Sequence, residues 1–264
     1  MMNDLQELGI QIEKFKDLGY VVLHLGDALD EIDQVNVDIE SMIERQDFRT
    51  NSKIYSYNDS PRIVEAWTRS ESCKSLALNT KVFDFLRQAY GSEPRAFSTI
   101  NFVRSTQQPL HSDYVHFGTI PHFQLAASWI ALEDIHPDSG PIQLVPKSHL
   151  WDIFCYGDLD LPIPRSMGQV REQYAIYEDW VRTMLEERSL KTFTPALKKG
   201  DALIWSANLL HGSPNCKDNT ISRRSQVTHY HFDGTEVFYN PSFSRIKSGH
   251  ITDRRVSYIN AIQK

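Results

Sequence analysis

Between Pro94 and Phe232 the chain breaks into short apolar runs that few architectures can accommodate. AFSTINFV, FQLAASWIAL, PIQLVP, ALIWSA and SQVTHYHF are rich in β-branched and aromatic residues, and each is short for a helix. Turn chemistry separates them. PDSG before Pro141 and KKGD at 198–201 each carry a glycine free to take a positive φ. Many short strands punctuated in this way predict a sandwich or barrel rather than a parallel α/β sheet. One segment breaks the pattern: QVREQYAIYEDWVRTMLEER, residues 169–188, reads as a helical insertion at about 165–190.

The N-terminal part, about 1–92, has helical periodicity instead. Leu5, Leu8, Ile12 and Phe15 share one face of a helix that ends at Leu18-Gly19, and the short strand YVVLHL follows. A second helix is expected from Asp27 to Arg45, with Leu29, Ile32, Val35, Ile39 and Met42 inward. SESCKSLALNTKVFDFLRQAYG reads as a third, with Gly91 placed as its C-terminal cap. Residues 46–69 carry no assignable pattern. The expected organisation is one domain over 1–264, mainly β with flanking α. A β core at about 94–235 is buttressed by the N-terminal helices, and a tail at 236–264 follows.

Composition narrows the function. The net charge of -6, with no dense Lys/Arg cluster, gives no footprint for a phosphate backbone, so no nucleic-acid partner is expected. The apolar run from Leu125 to Leu132 is far too short to span a bilayer, and the N-terminus lacks a signal-peptide apolar core. Cys73, Cys155 and Cys216 form no C-x-x-C pair, which argues against a disulfide framework or thiolate zinc site and for a cytoplasmic location. Histidine is the unusual component: nine of ten lie between His111 and His250.

The densest cluster is HSDYVHF, residues 111–117. In an extended strand residues i and i+2 share a face, so His111 and Asp113 would present an imidazole and a carboxylate together, with Ser112 turned away. A third ligand must come from elsewhere, and His211 in WSANLLHGSPN, at the end of an apolar strand, is the best candidate. Two histidines and one carboxylate leave one face of an octahedral ion open, which suits non-haem Fe(II). Zinc with a bound water would also accept the set, and H-x-D alone is equally a polar patch on an edge strand.

HSDYVHFGTIPHFQLAASWIALEDIHPDSGPIQLVPKSH resembles the core of the phytanoyl-CoA dioxygenase-like family of Fe(II)/2-oxoglutarate oxygenases, with its H-x-D, W-x-A-L-x-D-like strand, G-P turn and P-G-S-H pattern. KKGDALIWSANLLHGSPNCKDNTISRRSQVTHYHF resembles that family's second block, and with Gly-Tyr-Val-Val-Leu near the N-terminus the likeness covers most of residues 15–232. The resemblance implies a double-stranded β-helix (jelly-roll, cupin-like) core, with Fe(II) on His111, Asp113 and His211, and with 2-oxoglutarate and O2 as cosubstrates. It places an arginine about eleven residues after the distal histidine. That spacing falls on Ser222, so Arg223 is favoured as the 2-oxoglutarate anchor, Arg224 being the fallback; two exposed arginines on an edge strand are the structural alternative. Trp129 and Ser213 match residues near the cosubstrate, where a core tryptophan and a turn serine would serve as well. Lys147 stands in place of the usual glycine of P-G-S-H, a change expected at the barrel rim.

Other histidines are read structurally: His229 and His231 line or fill the cavity, His116 and His122 lie near its mouth, and His149 makes hydrogen bonds in its turn. The implied activity is hydroxylation of an unactivated C–H bond of a small organic molecule, with release of succinate and CO2. An intact Asp113 favours this outcome over halogenation. The rivals are a zinc-dependent cupin-like hydrolase or isomerase and a non-catalytic sensor on the same scaffold. The family name does not transfer a fatty acyl-CoA substrate. Tyr114, Phe117, Phe123, Phe238 and Tyr239 suggest an amphipathic one. Oligomeric state is not readable.

Overall fold

The computed structural model describes residues 2–47, 49–50, 61–213, 216–239 and 243–260. Pro214 and Asn215, part of the turn expected after His211, lie outside them, as does the side chain of Leu5. In chain order the strands are β1 (Tyr20–His24), β2 (Arg49–Thr50), β3 (Arg62–Val64), β4 (Pro94–Phe102), β5 (Gly118–Ile120), β6 (Leu125–Ala131), β7 (Gln143–Leu144), β8 (Asp201–Ser206), β9 (His211–Gly212), β10 (Ser225–Phe232) and β11 (Glu236–Phe238). The large sheet has the order β1-β8-β6-β10-β4-β3-β2. β7 pairs with β9, and β5 with β11. From β4 onward, successive strands alternate between the large sheet and these small ones. That alternation, antiparallel throughout, is a jelly-roll core, and the fold expectation holds.

The helices are α1 (Met2–Leu18), α2 (Leu29–Glu44), α3 (Glu71–Ala77), α4 (Thr80–Tyr90) and α5 (Met167–Glu187). Ile32, Val35, Ile39 and Met42 of α2 are buried at helical spacing, against the outer face of the large sheet. That sheet is covered on both faces. Ala126 and Ile130 of β6 join the helix-side cluster, while Ala127, Trp129 and Ala131 point into the barrel. Two-sided burial explains why LAASWIA reads as one apolar run with little polar alternation.

Three expectations need correction. The third helical pattern is two helices, because the Asn79 side chain accepts hydrogen bonds from the amides of Lys81 and Val82 and starts a new helix. Gly91 caps it at φ +68°, as expected. The unassigned stretch supplies β3, only three residues long and so without a periodicity to read. Neither arginine lies on an edge strand. Arg223 and Arg224 precede β10, which is central in the large sheet, and the Arg223 amide donates to Val103 O at 2.8 Å.

The rim turn at Lys147 keeps the left-handed backbone a glycine would favour (φ +71°), and its ammonium lies 2.8 Å from Asp17 Oδ1. His149 closes this turn with Nε2 donating to Lys16 O, which fixes its ring over Gly19. Gly19 is left-handed (φ +84°), and a Cβ there would lie 2.4 Å from His149 Nδ1 and 2.8 Å from Leu209 Cδ1. Gly19→Ala should therefore lower stability by about 1–3 kcal/mol, a fall of about 2–12 °C in Tm at this chain length. Thermal unfolding followed by circular dichroism measures it; an unchanged Tm would remove this constraint from the fold.

Candidate active site

His111 and His211 meet as a bridge in which each amide donates to the other's carbonyl, both at 2.9 Å. His211 lies on β9, five residues past the end of β8, and not at the end of the apolar strand as the sequence suggested. Nor does the H-x-D segment form a strand. His111 makes its single bridge, Ser112 is extended (φ -101°, ψ 146°), and Asp113 begins a 3-10 turn through Val115. One extended residue still points His111 and Asp113 the same way. Ser112, between them, is buried and lines neither of the two cavities that meet here, and its amide donates to the Tyr177 hydroxyl of α5 at 2.8 Å.

The ligating atoms of His111, Asp113 and His211 all lie within 4.8 Å of one another, and each residue is buried. Backbone carbonyls set the tautomers. His111 Nδ1 donates to Pro109 O at 2.8 Å and His211 Nδ1 donates to Leu209 O at 2.9 Å, leaving both Nε2 lone pairs inward. The amide of Gln108 lies 3.1 Å from His111 Nε2 and can donate to that lone pair. Trp205 Nε1 donates to Asp113 Oδ2 at 2.9 Å, fixing the carboxylate with Oδ1 facing His211 Nε2 at 3.6 Å. Burial opposes the Asp113 charge, but the imidazoles of His211, His229 and His111 outweigh it and hold the carboxyl well below its usual range. Burial, then His211, keeps His111 neutral by pushing its pKa well down. Two imidazoles oriented by backbone carbonyls beside a carboxylate make a metal-binding donor set.

Two connected cavities meet at this cluster. The inner one, of about 70 Å3, runs to Trp129, Ser213 and Arg223. The outer one, of about 550 Å3, is walled by α5 and the C-terminal segment; Arg62, Gln108, His111, Asp113 and His229 line both. Arg223 is buried, and its Nη1 donates to Ser213 Oγ at 2.6 Å and Gly140 O at 3.2 Å. Its guanidinium sits 5.7 Å from the Trp129 ring centre and 5.9 Å from that of Phe102. Burial, with help from Arg62, lowers its pKa only to about 10, so it is cationic at neutral pH. Among the described residues no carboxylate pairs with it, and its Nε has no hydrogen-bond partner. A buried cation in that condition is costly without an anion. Arg224 instead points out of the barrel and pairs with Glu40.

The chain belongs to the phytanoyl-CoA dioxygenase (PhyH) family. The family model, described as phytanoyl-CoA dioxygenase, matches residues 15–225. Membership makes the chain one of the Fe(II)/2-oxoglutarate-dependent oxygenases, and the matched span agrees with the blocks that carried the resemblance. An ectoine dioxygenase of Nocardia farcinica is 23% identical over 218 residues, covering 78% of this chain and 72% of that protein. The crystal structure of EctD from S. alaskensis with 2-oxoglutarate and 5-hydroxyectoine superposes with a TM-score of 0.66 at 18% identity, covering 94% of this chain and 84% of that one. SnoK, a non-haem α-ketoglutarate-dependent carbocyclase of nogalamycin biosynthesis, gives 0.66 at 17% identity, covering 95% and 94%. At these identities the structures speak to the fold.

Several residues at this PhyH site escaped the sequence reading. Arg62 comes from a strand without a pattern, Tyr177 from the insertion, and Arg254 from the tail. His229, left open between lining and filling, lies 3.6 Å from Asp113 Oδ1 and faces both cavities. Of the aromatic residues expected at the mouth, Phe117 and Tyr239 line the outer cavity. The Tyr114 hydroxyl instead accepts the amides of Thr119 and Phe123, and Phe238 is buried. His116 lines the outer cavity and His122 does not. Trp205→Phe keeps the ring and deletes the donor to Asp113, so affinity for Mn(II) should fall about 10–100-fold. Titration by electron paramagnetic resonance reads this directly; wild-type affinity would show that the carboxylate does not depend on Trp205.

Proposed function

We propose that this chain is an Fe(II)- and 2-oxoglutarate-dependent hydroxylase that acts on an unactivated C–H bond of a small organic molecule. One observation carries the reading. A buried His-Asp-His cluster and a buried, anion-seeking arginine share a single cavity, 2-oxoglutarate being the dianion that joins them. His111, Asp113 and His211 are the metal ligands. Their burial and fixed tautomers fit a divalent ion with an open coordination face. Arg223 is the anchor for the far carboxylate of the cosubstrate, offering a permanently charged fork, with Ser213 as a neighbouring hydroxyl and Trp129 as a wall. Among the described residues the fallback, Arg224, has no access to this cavity.

The bound iron and 2-oxoglutarate supply, with O2, an oxidant strong enough for such a bond, and the cosubstrate leaves as succinate and CO2. The protein's part is positional. Asp113, held by Trp205, would give the metal a carboxylate where halogenation would need a halide, which favours hydroxylation. Gln108 and His229 border both cavities and set the passage from the cosubstrate side to the substrate side. SnoK is a carbocyclase on the same fold, so the outcome rests on where the outer cavity holds the substrate carbon.

Anaerobic Fe(II) plus 2-oxoglutarate should give a visible metal-to-ligand charge-transfer band that Asp113→Ala abolishes. Arg223→Ala should raise the 2-oxoglutarate concentration for half-formation of the band about thirtyfold or more, at the roughly 2–5 kcal/mol typical of a buried charge contact, and Arg224→Ala should leave it nearly unchanged. A band indifferent to Asp113→Ala would defeat the metal assignment. The reverse order of the arginine variants would move the anchor to Arg224.

A further inference from the structure

Two imidazole nitrogens lie at the same distance from one carboxylate oxygen. His211 Nε2 and His229 Nε2 are each 3.6 Å from Asp113 Oδ1. The second nitrogen of each ring tells them apart. His211 Nδ1 donates to Leu209 O at 2.9 Å, so its Nε2 carries the lone pair of a metal ligand. His229 Nδ1 is buried and, among the described residues, has no hydrogen-bond partner. A proton on that nitrogen would be an orphaned donor in the interior. A proton on Nε2 faces a carboxylate oxygen, whereas the opposite tautomer would set a lone pair against that oxygen. His229 is therefore a donor where His211 is a ligand, although neither distance nor residue type separates them.

The placement of His229 is built into the large sheet. The residue is buried on β10, a central strand. The β4–β10 register slips beside it: Ser98 faces His229 and Ala96 faces Tyr230, so Phe97 is the extra residue of a bulge. A bulge next to a site re-aims the side chains around it. The imidazole lies 6.2 Å from the Phe97 ring centre and meets Phe117 edge-on at 5.1 Å. Apolar rings thus hold it in place of hydrogen bonds, and it borders both cavities. A separation of 3.6 Å is longer than a hydrogen bond, and a small turn about χ2, a soft torsion in histidine, closes it.

The other carboxylate oxygen is already fixed, because Trp205 Nε1 donates to Asp113 Oδ2 at 2.9 Å. Oδ1 has two lone pairs, enough to accept one N–H and to ligate a metal at once. We propose that His229 is a positioning residue, an N–H donor that holds the ligating oxygen of Asp113 in one orientation and draws electron density from it. With a donor on each oxygen, the carboxylate ligates through Oδ1 alone and does not swing to chelate through both. The assignment rests on the hydroxylase reading for a metal at Asp113.

The test uses the full-length protein without O2 and two readouts: Mn(II) affinity by electron paramagnetic resonance, and the wavelength of the charge-transfer band formed with Fe(II) and 2-oxoglutarate. His229→Phe keeps a ring between Phe97 and Phe117 and deletes the donor; His229→Met serves the same purpose where the Phe variant does not fold. His229→Gln returns an N–H at the reach of Nε2. The donorless variant should bind Mn(II) about tenfold or more weakly, and His229→Gln should recover to within about threefold of wild type. Loss of the hydrogen bond makes Oδ1 the stronger donor to iron, so the band should move to longer wavelength without the donor and return toward its wild-type position with Gln. A move to shorter wavelength is the sign of a lost nitrogen ligand and would overturn the proposal. So would wild-type affinity and band position in the donorless variant, or a Gln variant as impaired as the donorless one. The wild-type sample separates the two readings. A wild-type band that the His229 variants leave in place refutes this inference alone, and no band in the wild type refutes the hydroxylase reading beneath it.

Discussion

The reciprocal backbone hydrogen bonds between His111 and His211 are the contact on which the site depends. They join two segments a hundred residues apart and make the two imidazoles neighbours, with ring centres 4.6 Å apart. Gly212 makes the approach possible. A Cβ there would lie 2.8 Å from the carbonyl oxygens of Gln108 and Pro109, backbone atoms that cannot swing aside. With the strands held this closely, Pro109 O and Leu209 O fall within reach of the ring N–H groups and set both tautomers. Asp113 then arrives through one extended residue and is oriented by Trp205 from the facing sheet.

Charge inside the barrel follows a simple division. The anionic Asp113 is stabilised by imidazoles and an indole N–H. Arg223 is the opposite case, a buried cation given only neutral acceptors by the described residues, Ser213 Oγ and Gly140 O. The inner cavity runs between them. The helical insertion and the C-terminal segment, which looked peripheral, close the other side. Tyr177 accepts from the Ser112 amide between His111 and Asp113, and Met167, Val170, Tyr239 and Arg254 wall the outer cavity.

Much of this was legible in the sequence. The faces of α2 and the runs of β4, β6, β8 and β10 showed because burial imposes a periodicity on many residues at once. His111, Asp113 and His211 could be picked out because they match a known pattern, and Arg223 because it stands one residue past the spacing of that pattern, which falls on Ser222. What stayed hidden lacks either signal. β3 is three residues long, so Arg62 has no periodic context. The Tyr177 hydroxyl and the Trp205 indole act across 65 and 92 positions of chain, and neither differs in sequence from a core aromatic. The expected strand at H-x-D failed for a local reason: Asp113 starts a 3-10 turn immediately after the extended Ser112.

The most direct test of the central claim is the fate of 2-oxoglutarate in air. Purified protein with Fe(II) and 2-oxoglutarate should form succinate even without a prime substrate, slowly, and the signal should vanish without O2 or with His211→Ala. Absence of succinate from the wild-type protein under these conditions, with O2-independent activity on zinc loading, would contradict the account.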